Sequence, residues 1–193
     1  MKRPLLFLGA LAVMGAGLVP LLARTPPHDV RDTNDTRGVM DVERVHVNTH
    51  KPPRFSIVTF DSWTAAQVWD AGYLLVHFDS FGDKHFDYYA NVSSDGRRLI
   101  GRLYRDRPRK ADYRVGRLQV IRQDQRHVRV RVPLDQLDLP KKRGYYRWYV
   151  DTLFTSEACP KVCIDRVPDS GSVTEEVGPT QTTILPTPTP SIT

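Results

Sequence analysis

The chain has 193 residues, a formal net charge of +6 and two cysteines. That length fits one domain able to bury a core without many disulfides, which excludes a disulfide-scaffolded miniprotein. The basic balance invites a nucleic-acid reading, but the arginines alternate with apolar residues, as the solvent side of a strand does, and the N-terminus reads as an export signal; nucleic acid is not an expected partner.

The start, MKRPLLFLGALAVMGAGLVPLLART, sets Lys2 and Arg3 ahead of an apolar run from Leu5 to Leu22, with Ala23 as the small residue before a cleavage point. This is the layout of a secretory signal peptide over residues 1–23. The run is nearly long enough to span a bilayer, so an uncleaved anchor is the alternative. Either way the remainder is expected outside the cytoplasm, secreted or at the cell surface, and meets a membrane only through this segment.

Residues 24–170 read as the domain. DVERVHVN places Val45 and Val47 on one face; RFSIVTF is apolar in both registers, as a central strand is; YLLVHFD follows. Before YLLVHFD, SWTAAQVWDAG carries a short helical period. FDYYANVSS leads into Ser94-Asp95-Gly96, a strong hairpin signal, and RRLIGRLYR returns. YRVGRLQVIRQ and RHVRVRVPL flank the turn DQR, and the second sets Val128, Val130 and Val132 against Arg129 and Arg131, the alternation of a half-buried antiparallel strand. GYYRWYVDTLF alternates Tyr146, Trp148 and Val150 with Tyr145, Arg147 and Tyr149. Roughly eight strands with short connections predict an all-β fold, an antiparallel β-sandwich of jelly-roll type, with a closed barrel as competitor. ACPKVCIDRVPD holds the two cysteines, Cys159 and Cys163, which in an exported chain are expected to form a local disulfide. From 171 to 193 the Thr/Pro-rich sequence predicts a disordered tail.

Several stretches together, DTNDTRGVMDV, the hairpin VHFDSFGDKHFDYY, the paired strands ending in RVPL, and RWYVDT, resemble exported β-sandwich domains of the DOMON and family-9 carbohydrate-binding-module type over about residues 32–155. The resemblance implies a binding module rather than an enzyme, with carbohydrate as ligand and a structural calcium in some relatives and haem in others. The chain departs from the haem-binding kind: Met40 and His77 do not make a convincing axial pair.

Two aspartate groups carry the candidate chemistry. DTNDTRGVMD offers Asp32, Asn34, Asp35 and Asp41 as oxygen ligands for Ca2+, with Gly38 allowing a tight turn, although the spacing is not that of an EF-hand. The competing reading is that Asp and Asn bend the chain through local hydrogen bonds. Asp165 and Asp169, near the other end of the domain, would complete such a site if the chain ends meet. In the second group, Asp79, Asp83 and Asp87 stand at intervals of four. Asp79 and Asp87, with Trp63 and Tyr89 as stacking aromatics, form the expected ligand site. Glycoside hydrolysis by the Asp79/Asp87 pair is the minor, enzymatic reading. The leading expectation is a binding module for carbohydrate or a cell-envelope polymer; the alternative is a structural or protein-interaction protein of the envelope that uses its basic face and its tail.

Overall fold

A computed structural model describes residues 28–49, 52–66, 72–140, 142–156 and 159–177. Residues 1–27, where the export signal is expected, Trp69 and the stretch beyond residue 177 lie outside the described residues. Eleven strands follow one another: β1 (His28–Arg31), β2 (Val42–Asn48), β3 (Arg54–Thr59), β4 (Gly72–Asp79), β5 (Tyr88–Ser94), β6 (Leu99–Arg105), β7 (Tyr113–Arg122), β8 (His127–Arg131), β9 (Tyr145–Ser156), β10 (Cys159–Val167) and β11 (Val173–Glu176). Every pairing is antiparallel. The sheet runs β1-β2-β3-β8-β7-β6-β5-β4-β9-β10, with β11 beside β9.

All the strands expected from alternation are present, and the count rises to eleven because β1, β10 and β11 carry no strong apolar signal. Beyond residue 170, β11 pairs with β9 over Val173–Glu176. The expected helical excursion is represented among the described residues by Ala65 and Ala66 alone.

The sheet curls because β7 is shared between its two halves. Residues Tyr113 to Leu118 pair with β6, and Gln119 to Arg122 pair with β8. At this corner β6 comes so close that a Cβ on Gly101 would lie 2.4 Å from a Val120 methyl. The result is one antiparallel sheet, nearly closed into a barrel around a single core. Phe55 of β3 meets Phe78 of β4 and Trp148 of β9 edge to face, at ring separations of 5.5 and 5.4 Å. Edge-on aromatic packing of this kind contributes about 0.5–1.5 kcal/mol per pair beyond area burial. Val128, Val130 and Val132 all face this core.

The two ends of the sheet, β1-β2 and β9-β10-β11, come together without a backbone ladder. Asp165 of β10 accepts the Val42 N–H of β2 at 2.7 Å. His28 of β1 lies 2.6 Å from Glu175 of β11, whose carboxylate also accepts the Trp148 indole N–H. Side chains close this seam. Next to it, Cys159 and Cys163 form a disulfide across the irregularity where β10 shifts register against β9.

The face assignment of β8 is checked by two substitutions. Val130 is fully buried between Phe55 and Val120 on the neighbouring strands, so Val130→Asp buries an unpaired charge and should abolish folding. Arg131→Ser, on the outer face, should change stability by about 0.5 kcal/mol or less. Urea melts of both variants read the difference, and equal losses would reverse the faces.

Candidate metal centre at the seam

The loop from Asp32 to Asp41 joins β1 to β2 and is held at both ends. The Asp32 N–H donates to the Glu43 carbonyl at 3.0 Å, and the Asp41 carbonyl accepts from the Phe60 N–H at 2.9 Å. The Thr152 hydroxyl of β9 donates to the Met40 carbonyl at 2.7 Å. Gly38 takes φ +124°, and a Cβ there would fall 2.2 Å from the Phe154 ring. Only glycine fits both the left-handed backbone and this close approach.

Pinned in this way, the loop faces Asp165 and Asp169 from the other end of the domain. Asp35, Asp41 and Asp165 have carboxylate oxygens within 4.8 Å of one another, and so do Asp32, Asp35 and Asp169. Five carboxylates thus converge, with Asp35 in both groups. Asn34 is exposed on the same loop. Asp165 gives one oxygen to Val42. Asp32 gives one to the Thr33 N–H and keeps the other buried and unpaired. Asp41 is 2 % exposed, and neither of its oxygens makes a geometrically formed hydrogen bond; the Thr36 N–H favours its ionised form.

The electrostatics follow from this crowding. Burial, then the charges of Asp165, Asp35 and Asp32, push the Asp41 carboxyl up to about 7. Burial, partly countered by the Thr33 N–H, pushes Asp32 up to about 6, and Asp165 and Asp169 add to the rise. Asp165 is raised by burial as well. The donor set is all oxygen, the chemistry that suits a hard cation. Two oxygens bound to one Ca2+ ion at 2.3–2.6 Å stand no more than about 5 Å apart, and the oxygens of each group lie within that limit.

The second aspartate group, where the ligand site is expected, is built differently. Asp79 is fully buried, clamped by Arg147 from β9 and by the Gly82 N–H, with Arg143 at 3.6 Å. Asp87, 6 % exposed, accepts the Ser80 and Phe81 N–H groups at 2.9 and 3.2 Å. Asp83 caps the His85 N–H. Asp79, Asp83 and Asp87 also converge, and arginines and backbone donors pair with them, so they shape the β4–β5 loop. Trp63 is removed from ligand contact: it is 2 % exposed and lies under the Arg122 guanidinium at 4.5 Å. Of the four expected ligand residues, Tyr89 alone stands on an outer sheet face, its hydroxyl donating to Asp112 at 2.8 Å. Met40 is buried in the core, whereas His77 lines an outer cavity, so the two do not converge as axial ligands. Arg147 was not singled out from sequence; its register partner Asp79 identifies it once β4 and β9 are paired.

No family model matches this chain, and no curated protein or solved structure is found to be similar to it.

The raised carboxyls set the sign of a pH effect. The folded chain holds protons on Asp41 and Asp32 more tightly than the unfolded chain does. Without a cation, that stability is fully present below about pH 4 and is lost as the pH climbs to about 7. Asp124, held near 2 chiefly by the Arg126 N–H, and Asp95, also lowered, act in the opposite sense but below that window. In EDTA the urea midpoint should therefore be higher at about pH 5 than at about pH 7.5, and Asp41→Asn should flatten the difference. A midpoint that rises from pH 5 to 7.5 contradicts the crowding.

Proposed function

We propose that the chain is an extracytoplasmic ligand-binding domain, not an enzyme, whose folded form is completed by a calcium ion at the seam. One observation carries the cation: a carboxylate, Asp41, that is buried with neither oxygen paired. An ion this short of solvation costs several kcal/mol unless it is neutralised or paired. The charges acting on it are those of further carboxylates, so a divalent cation is the partner that relieves them all at once. Asp35, Asp41 and Asp165 are its ligands, and Asp32 and Asp169 lie beside it. Magnesium fits less well, because it keeps its waters and demands a tighter octahedron. The ion joins β2 to β10 where backbone pairing stops, a structural role.

The binding role is supported by the export-type N-terminus and by the inertness of the only acidic pair considered for catalysis, Asp79 and Asp87. The resemblance to DOMON and family-9 carbohydrate-binding domains points the same way. A second reading, attachment to an anionic envelope polymer, is favoured by Arg54, Arg129 and Arg131, which line a depression of about 200 Å3 on the outer side of β3 and β8. Steep weakening of polymer binding with salt, removed by Arg131→Ser, would establish it.

Thermal melts in EDTA and in millimolar calcium test the cation. Calcium at a hundredfold excess over its dissociation constant should add about 2.7 kcal/mol of stability, magnesium should add less, and Asp41→Asn should remove the response. Because protons compete for the same carboxylates, the calcium response should weaken from about pH 7.5 to about pH 5.5. Superimposable wild-type melts with and without calcium reject the reading.

A further inference from the structure

On the outer face of the sheet the register aligns four ring side chains in one row across four strands. Tyr149 of β9 stands opposite His77 of β4, His77 opposite Tyr89 of β5, and Tyr89 opposite Tyr104 of β6. The rings stack in two pairs: His77 on Tyr149 at 4.3 Å and 12°, and Tyr89 on Tyr104 at 5.2 Å and 14°. The row is locked from its edges. The Arg166 guanidinium lies 3.7 Å from the Tyr149 ring centre, Phe86 packs edge-on against Tyr149 at 4.5 Å, and Asp112 holds the Tyr89 hydroxyl. None of these rings faces the core.

Beside the row lies a cavity of about 300 Å3, at the lower end of the range for small-molecule sites. Tyr73, Leu75 and Leu153 give it an apolar side; Asn91 and Asp106 give it an amide and a carboxylate; His77 and Tyr89 complete it. Tyr73 is 51 % exposed. Apart from His77, its lining holds no basic residue, whereas the opposite outer face of the sheet is lined by arginines.

We propose that this cavity binds a neutral oligosaccharide, with Tyr73 and the edge of the Tyr89 ring against the C–H surface of the sugar and Asn91 and Asp106 on its hydroxyls. The proposal rests on the reading of the chain as an extracytoplasmic binding domain and supplies its ligand class and site. The other occupants fit less well. A lipid chain would cover the Asn91 amide and the Asp106 carboxylate without offering them hydrogen-bond partners. An anionic ligand would meet Asp106 as a like charge. A peptide added as a strand needs a free edge, and β4 and β5 are both paired on both edges. A sugar offers apolar C–H faces and hydroxyl donors together, which is the combination that this lining presents. The locked rings also spare the entropy of ordering on binding.

The test uses the full exported chain on an array of neutral and acidic oligosaccharides, followed by calorimetric titration with the best neutral ligand. A neutral class should be retained. Asn91→Ala and Asp106→Ala should each weaken binding roughly tenfold or more, Tyr73→Ala should weaken it clearly, and Arg131→Ser on the other face should leave it unchanged. All four variants should keep the wild-type melting temperature and calcium response, which separates loss of the site from loss of the fold. A chain that melts normally but retains no neutral glycan overturns the proposal. So does retention of acidic glycans alone, abolished by Arg131→Ser and indifferent to Asn91→Ala. Sugar binding with no calcium response would sustain this site while removing the cation.

Discussion

An antiparallel sheet that curls almost into a barrel must do something with its two last strands. Unpaired edges expose N–H and C=O groups and invite pairing with other chains. Here the ends are joined by side chains in place of a ladder. The Val42 N–H goes to the Asp165 carboxylate. Glu175, fully buried, takes donors from His28 and from Trp148, tying the first strand to the last and both to the largest core residue. The disposition of the molecule depends on this seam: it sets β2 against β10, brings the Asp32–Asp41 loop onto Asp165 and Asp169, and holds β9 in place beneath its outward-facing tyrosine. Closure by carboxylates has a consequence, because each acid brought in to accept a hydrogen bond also brings a charge.

The two aspartate groups show how partners decide what a cluster does. Asp79, Asp83 and Asp87 lie as near to one another as the seam acids do. Arg147 and Arg143 neutralise the deepest of them, and loop N–H groups take up the rest. That cluster is a finished piece of loop architecture. At the seam, among the described residues, no lysine or arginine forms an ion pair with Asp41, and its oxygens make no geometrically formed hydrogen bond. Losing the partner of a buried charge costs about 3–5 kcal/mol, a large part of the stability of a domain this size. Two groups of the same composition therefore differ in kind, and the one lacking its counter-charges is the one that calls for a cation.

Much of the fold was legible in the sequence. Val128, Val130 and Val132 against Arg129 and Arg131, and Tyr146, Trp148 and Val150 against their neighbours, sorted inner from outer faces correctly, because an apolar side chain every second residue has one physical meaning. The strands at the seam were not legible. In β11 the fully buried residue is Glu175, so the usual pattern is inverted, and β10 opens across an irregularity bridged by the disulfide. The Asp32–Asp41 loop could be named as a candidate from its oxygens, and its completion by Asp165 and Asp169 from the tendency of chain ends to meet. The burial of Asp79 and Trp63 was not legible, because residue type does not report it: an aspartate beside a turn and a tryptophan beside a loop look the same in sequence whether they face solvent or an arginine. The aromatic row was beyond reach for a different reason, since it exists only through the register of four strands.

The central claim is that the seam is held by side chains and an ion, and amide hydrogen exchange addresses it residue by residue. The amide of Val42 has a carboxylate as its acceptor, while those of Leu74 and Val76 lie in β4, paired on both edges in the middle of the sheet. Local opening of the seam should leave the centre intact. The account predicts that moving from calcium to EDTA at neutral pH strips protection from Val42 and the adjoining β10 amides and leaves Leu74 and Val76 protected. Equal protection of Val42 in both conditions, or a uniform loss across the whole sheet, would contradict it.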